Sequence, residues 1–483
     1  MFAPRGRLAS CLFLFTVIGV TINWPDGYTN SYPNTSEDSF RTFINDSYIK
    51  RGVYLKESTY TILWSVTLNS WFLGYLIGTF LTPICVERSG RKWSLIISSA
   101  ISLVGAILNL VSILVKIPEL FTIGRLVGSV GSGISFTTLI LFLQEVSPTH
   151  YRGISSFTCE TAFLLNTVLG IFCGMDIALG EKLPYLTGLS IIPSIIAIII
   201  LIPLKETPKY LLIVEKNIEK ATDSILYYHG KTDVQEVLNE IQKEEKEESN
   251  EAKSSLLRGC IETFKVPHLR AALILGMVTL ELISSFWPIT YLSTIFLGDL
   301  FSSSVAQYVS LTFIVSNFVG SLLGLLVVER FGRKPLLLIF GSINTFSLIL
   351  YMICDRMSVS HDGFKYGTIV ALIIYGLSYG VGLGPIAYFL TSELVQQQYR
   401  SLIQSIVYAF NAILGLIVST ATLPLYNVMG AYCFIPLFIV PSILCLVYLY
   451  YYLPETKDRE IHDIVQGMMM NAKQRSQITE DNL

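Results

Sequence analysis

Apolar residues in this 483-residue chain are gathered into twelve runs, each about as long as one membrane span and nearly free of charge. A helix needs about 20 predominantly apolar residues to cross the hydrocarbon of a bilayer. The runs lie near 8–24, 60–84, 93–115, 119–146, 154–178 and 184–204, and then near 269–297, 304–328, 335–354, 366–392, 401–423 and 428–452. Charged residues make up only 14% of the chain, against about 25% in soluble domains, and they collect between the runs. Charge is expensive in hydrocarbon. The distribution therefore excludes a soluble enzyme and predicts an all-α, multi-pass membrane protein.

The first run follows Arg5 and Arg7 and lacks a small-residue cleavage site, so it reads as a first span rather than a signal peptide. The polar segment after it, 26–58, is expected to be an extracellular loop. It holds the chain's only two N-x-S/T sequons, which make Asn34 and Asn45 candidate glycosylation sites. A charged stretch, 205–268, separates the first six runs from the last six; between Glu236 and Lys253 it is rich in Glu and Lys and lacks Pro and Gly, which predicts short cytoplasmic helices with a solvated face. The expected organisation is a bundle over 1–204, a linker over 205–268, a second bundle over 269–452 and a tail over 453–483. With the first loop outside, the short inside segments carry Arg5, Arg7, Arg88, Arg91, Lys92, Arg152, Arg330, Arg333, Lys334 and Arg400. The short outside loops after the first carry only Lys116, Lys182, Arg356 and Lys365. This charge bias puts both termini in the cytoplasm.

Two motifs recur at equivalent places in the two halves. Glu87-Arg88-Ser89-Gly90-Arg91-Lys92 follows the second run, and Glu329-Arg330-Phe331-Gly332-Arg333-Lys334 follows the eighth. Glu145 precedes Arg152 after the fourth run as Glu393 precedes Arg400 after the tenth. Such repeats mark two homologous six-helix bundles, an arrangement typical of secondary transporters, with a substrate site at the midplane between the halves. The glycines permit tight turns. The Glu and Arg side chains stand at inside helix ends, where they can pair across neighbouring helices and form a gate. The competing reading is that the basic residues only set topology.

Little else carries chemistry. A net charge of −2 implies no nucleic-acid partner. The eight cysteines include no CxxC pair and read as small buried hydrophobes rather than metal ligands. Gly128, Gly131 and Gly133 follow no strand and read as close helix packing, not a nucleotide loop. With no nucleophile, metal cluster or cofactor motif, no enzyme and no cofactor are expected. The expected partners are a small-molecule solute and the lipid bilayer, and nothing in the sequence sets an oligomeric state.

From about residue 60 to 457 the chain resembles the sugar-porter branch of the major facilitator superfamily. The paired E-R-x-G-R-K motifs carry the resemblance, with Gly124-Arg125, the segment Glu145 to Gly153, Lys205-Glu-Thr-Pro-Lys-Tyr210, Gly382-Leu-Gly384-Pro385 and Pro454-Glu-Thr-Lys457. The large first loop is similar to that of animal facilitative hexose carriers. The resemblance implies a major-facilitator fold of twelve transmembrane helices in two pseudo-symmetric six-helix bundles, and alternating access by facilitated diffusion, with a hexose first among solutes and the plasma membrane the expected location. Matched to the family's sugar contacts are Asn317, Asn411 and a gate tyrosine, Tyr291. Elsewhere the pattern departs: Glu160 stands for a glutamine, Leu280 and Glu281 for paired glutamines, Phe286 for an asparagine, Tyr388 and Ala412 for tryptophans, and Gly380 for an acid. The aspartate of proton-coupled members falls on Thr29, which implies a uniporter. Glu160 and Glu281 lie inside apolar runs, where a charge costs about 2.5–3.5 kcal/mol and faces a cavity as a rule. The sequence leaves three roles for them: neutral hydrogen-bonding acids, contacts to a substrate, or proton carriers. The rival functions are a carrier of a non-sugar or cationic solute and a non-transporting sugar sensor.

Overall fold

The computed structural model describes residues 5–147, 152–229, 234–249, 256–328, 330–457, 459, 463–464 and 466–467. The chain is built of helices joined by short turns, with no strand among the described residues. The first half comprises α1 (Arg5–Ile22), α2 (Trp24–Thr35), α3 (Glu37–Lys50), α4 (Glu57–Val115), α5 (Pro118–Val146), α6 (Arg152–Gly174), α7 (Leu183–Gly188) and α8 (Ile191–Leu201). Three shorter helices follow in the linker: α9 (Ile218–His229), α10 (Val234–Ser249) and α11 (Leu256–Lys265). The second half comprises α12 (Pro267–Glu281), α13 (Phe286–Gly298), α14 (Ser303–Val327), α15 (Arg333–Ser358), α16 (Lys365–Ser378), α17 (Gly384–Glu393), α18 (Gln397–Met429) and α19 (Val440–Tyr452). Ten helical stretches among the described residues are long and apolar enough to cross a membrane. The 59-residue α4 holds two spans, and α1 with α2 supplies the first. The result is twelve spans in two bundles.

The second and third spans are one helix broken at Gly90, whose φ of 83° only glycine adopts readily. Gly332, at the equivalent turn, has an ordinary φ of −69°. There the glycine serves a different need, because a Cβ would collide with the carboxylate of Glu455. Pro118, Pro267 and Pro385 each stand in the first turn of their helices, where the missing N–H is no loss. Glycines of α5 face the two arms of α4: a Cβ on Gly131 would lie 2.6 Å from the Ser98 carbonyl oxygen. This is the close helix packing that the glycine spacing implied.

The structure corrects one boundary. The first span does not end at Trp24: α2 continues it, after a bend at Asn23, as far as Thr35. Pro25 and the polar residues Asp26, Asn30 and Asn34 look like loop in sequence, but α2 packs against α6 and α13 and buries them. Asn34 is 7% exposed and its Nδ2 donates to Ser293 Oγ at 3.0 Å. A glycan on Asn34 has no place in this arrangement. Asn45, on α3, is only half-buried.

The two halves meet where α4 lies on α18 and α6 on α14. The linker helices α9 and α10 carry their own small core of Ala221, Ile225, Leu238 and Ile241, closed by Leu211 and Leu212. Ser224 Oγ and Tyr228 OH of α9 donate to the carbonyls of Glu206 and Lys205 at the start of the linker, and the Tyr228 ring, 6.2 Å from that of Phe142 on α5, fastens it to the first half. Gly131→Val is expected to force α4 and α5 apart and destabilise the fold by about 2 kcal/mol, read as a lower melting temperature of the purified protein in detergent.

Candidate functional site

Three spans are interrupted near their middles, and the interruptions point inward. The first bends at Asn23, whose Nδ2 donates to the Cys159 carbonyl at 2.9 Å. The seventh breaks between Glu281 and Phe286, where the Ser285 hydroxyl bonds Tyr375 OH at 2.8 Å. The tenth widens into a π turn, Tyr379–Leu383, ahead of Pro385. Discontinuous helices at the interface of two halves are where transporters place their substrate sites.

The breaks border a narrow cavity between the halves. Asp26 of α2, Trp71, Phe72 and Tyr75 of α4, Phe136 of α5, and Glu160 and Phe163 of α6 line it from one side. Trp287 of α13, Tyr388 of α17, and Asn411 and Ala412 of α18 line it from the other. The rings form a continuous wall: Trp71 lies 4.8 Å from Tyr75 and 5.1 Å from Trp287, and Phe136 lies 5.2 Å from Tyr388. Glu160 Oε1 accepts from Tyr379 OH at 3.3 Å, while Oε2 has no partner. Trp71 Nε1, Trp287 Nε1 and Asn411 Nδ2 are also buried without partners. Asp26 Oδ1 accepts from Asn30 Nδ2 at 3.3 Å. The Asn30 Oδ1 in turn accepts from Arg125 Nη2 at 3.1 Å, and the rest of that guanidinium donates to the carbonyls of Thr67 and Thr29.

Of the residues matched to sugar contacts, Glu160, Tyr388 and Asn411 line this cavity. Tyr291 stands one turn beyond Trp287, 6.0 Å from its ring, with an unpartnered hydroxyl. Two others lie elsewhere. Asn317 donates to the Phe313 carbonyl of its own helix and packs on the tenth span, where its backbone meets Gly376 and Gly380. Glu281 ends α12, half-buried, on the side of Cys445 of α19 rather than on the cavity. Asp26 was missed because the first span was ended too early. The aromatic wall was missed because its residues look like ordinary core.

The linker side carries two matching networks. In the first half, Arg91 Nη2 pairs with Glu145 Oε1 at 2.8 Å, and Glu145 Oε2 accepts from Thr207 Oγ1 at 2.6 Å. Glu206 accepts from the backbone N–H groups of Arg91, Lys92 and Thr207 at 2.9–3.2 Å. In the second half, Arg333 pairs with Glu393 at 3.6 Å, and Glu393 Oε2 accepts from Thr456 Oγ1 at 2.6 Å. Glu455 accepts from the N–H groups of Arg333, Lys334, Thr456 and Lys457 at 2.8–3.2 Å. Glu206-Thr207 and Glu455-Thr456 are thus a third repeat, visible in the sequence as Glu-Thr but not recognised there as a pair. Burial pushes the Glu206 carboxyl up to about 7, against the N–H groups that favour its ionised form.

The remaining gate candidates are placed differently. Glu87, Arg88 and Arg330 have exposed side chains, and Arg400 is buried in the first turn of α18. Arg152 opens α6, and Glu329 lies outside the described residues. The Arg91–Glu145 and Arg333–Glu393 pairs each join helices within one half. Between the halves on this side, Gln144 Nε2 donates to Ser392 Oγ at 2.8 Å. On the opposite side, Asn34 bonds Ser293, Gln307 Nε2 donates to the Thr35 carbonyl and Asp176, and Asn69 bonds Thr420. The cavity is therefore closed in both directions. Replacing Glu145 with Gln is expected to leave the buried Arg91 short of its partner and destabilise the protein by about 3 kcal/mol. Glu87→Gln, at an exposed site, is expected to leave the melting temperature within about 1 °C.

Residues 12–467 match the family model described as "Sugar (and other) transporter". The chain is 27% identical over 443 residues to solute carrier family 2, facilitated glucose transporter member 7 of Mus musculus, covering 91% of this chain and 86% of that protein. It is also 27% identical to member 1 of that solute carrier family in Gallus gallus, covering 94% and 93%. Among solved structures it resembles the proton:xylose symporter XylE bound to 6-bromo-6-deoxy-D-glucose, with a TM-score of 0.76 at 18% identity over 94% of this chain and 98% of that one. The fucose:proton symporter FucP of E. coli superposes with a TM-score of 0.55 at 12% identity, covering 91% and 97%. With its two bundles, interrupted spans and central cavity, this chain is a multi-pass membrane transporter of major-facilitator fold and belongs to the sugar (and other) transporter family.

Proposed function

We propose that the chain carries a hexose across the plasma membrane by alternating access and facilitated diffusion. The observation that carries this reading is the set of unpartnered polar atoms on residues that line the cavity from both halves: Trp71 Nε1, Trp287 Nε1, Asn411 Nδ2 and Glu160 Oε2. A buried polar atom without a partner costs about 1–3 kcal/mol, so four around one cavity are a site awaiting hydrogen bonds. Three donors and one carboxylate suit the hydroxyls of a sugar, which both accept and donate. The flat aromatic walls suit the C–H faces of a pyranose ring. The names of the relatives support the same class of solute.

The transport cycle follows from the contacts on the two sides. Release of Gln144 from Ser392 opens the cavity toward the linker; release of Asn34, Gln307 and Asn69 from their partners opens it toward α3. Each bundle moves as a body, held by its own charged network. The Arg125 guanidinium donates to neutral acceptors, the Thr67 and Thr29 carbonyls and the Asn30 amide oxygen, in keeping with uniport. The test is uptake of labelled D-glucose into liposomes holding the purified protein. Saturable uptake that neither drives nor needs a proton gradient is expected, with Trp287→Ala and Asn411→Ala each weakening half-saturation about tenfold. The absence of saturable uptake of any hexose would overturn the reading.

For topology, we infer that the linker and both termini face the cytoplasm, since Arg88, Arg91, Lys92, Arg330, Arg333 and Lys334 all lie on the linker side. The α3 side then faces outward. In mammalian cells, Asn45→Gln is expected to remove a glycosidase-sensitive shift on a gel, and Asn34→Gln to leave it unchanged. A shift lost with Asn34→Gln alone would contradict the burial of that side chain.

A further inference from the structure

The cavity holds two carboxyl groups, which a neutral sugar does not need. Among the residues that line it, the charged ones are Asp26 and Glu160, 4% and 2% exposed, and none is basic. Arg125 stands one layer behind, joined to Asp26 through the Asn30 amide. Its single positive charge offsets one carboxylate. Glu160, on the same side of the cavity as Asp26, is left with a tyrosine on one oxygen and nothing on the other. Around it stand Trp71, Tyr75, Phe163 and Trp287. Aromatic faces attract a cation within about 6 Å, most strongly when it has lost its water.

Resting on the sugar reading above, we infer that this cavity selects a hexose that carries a protonated amine, with the ammonium held by Glu160 and Asp26 and the hydroxyls by Trp71, Trp287 and Asn411. An ammonium offers three N–H donors and no acceptor. It therefore suits carboxylate oxygens and not the indole and amide N–H groups on the rest of the wall, so the amine end has one way to lie. Its charge completes the balance that two carboxylates and one guanidinium leave open. A neutral hexose fills the same volume but leaves Glu160 as an uncompensated buried charge or forces it to take up a proton.

The test compares D-glucosamine, D-glucose and the uncharged N-acetyl-D-glucosamine against the purified full chain, at a pH where the free amine is protonated. Binding is read from the fluorescence of Trp71 and Trp287, which line the cavity, and transport from uptake into liposomes. The expected result is half-saturation by D-glucosamine at a concentration at least about tenfold below that for D-glucose, the scale of a close desolvated charge pair. N-acetyl-D-glucosamine is expected to lose that advantage. Glu160→Gln is expected to bring the ratio of the two constants toward one, whatever it does to glucose binding itself. Where that variant does not fold, the wild-type ratio decides. Equal constants, or tighter binding of the neutral sugar, would overturn the inference and leave Glu160 as a neutral hydrogen-bonding acid, while the hexose reading stood. Failure to bind or carry any of the three sugars would overturn both.

Discussion

In hydrocarbon, neither a backbone amide nor a charge can turn to water, so every break in a helix and every ionised group must find its partner inside the protein. This constraint arranges the rest of the molecule. The spans are interrupted only where a neighbour can take over the freed groups: Asn23 against α6, Ser285 against α16, and Asn344 of α15 against the tenth span, where it donates to the Tyr375 carbonyl and Ser378 Oγ. The interruptions therefore face the interior, and the interior between the halves becomes the one region able to hold polar chemistry. Asp26, Glu160 and Asn411 lie there for the same reason that the lipid-facing positions carry Ile, Leu, Val and Phe.

At the linker side the same constraint produces a pair of capped helix starts. The second arm of α4 and the start of α15 each begin with unsatisfied N–H groups, and each receives one carboxylate, Glu206 or Glu455. A carboxylate at a helix N-terminus gains from both the hydrogen bonds and the helix dipole. The carboxylate must come close, so the turn residue has to be glycine in both halves, although Gly90 and Gly332 differ in backbone conformation. Threonines next in sequence tie each cap to the ion pair beside it. Three short motifs, far apart in the chain, thus form one cluster in each bundle.

The number of spans, the linker helices and the turn motifs were readable because each rests on a contrast that the sequence displays: apolar against charged, or one repeat against another. The orientation of residues around a span was not. In a soluble helix the buried face is apolar and the outer face polar, but in a membrane both neighbours, lipid and protein, are apolar. Nothing in the local pattern says that Glu160 turns to the cavity while Glu281 turns toward α19, or that Asn317 faces a neighbouring helix. The aromatic wall was hidden for the same reason. The end of the first span was misread because Asp26, Asn30 and Asn34 satisfy each other and the second half, contacts that only the folded chain supplies.

The Gln144–Ser392 bond is a neutral contact between the two halves. That bond lies between two charged clusters, one residue from Glu145 and one from Glu393. An amide–hydroxyl bond contributes about 1 kcal/mol, so it can part and re-form on every turnover. The Arg91–Glu145 and Arg333–Glu393 pairs shape each bundle from within, while Gln144 and Ser392 give it a contact with its partner that can be broken and remade.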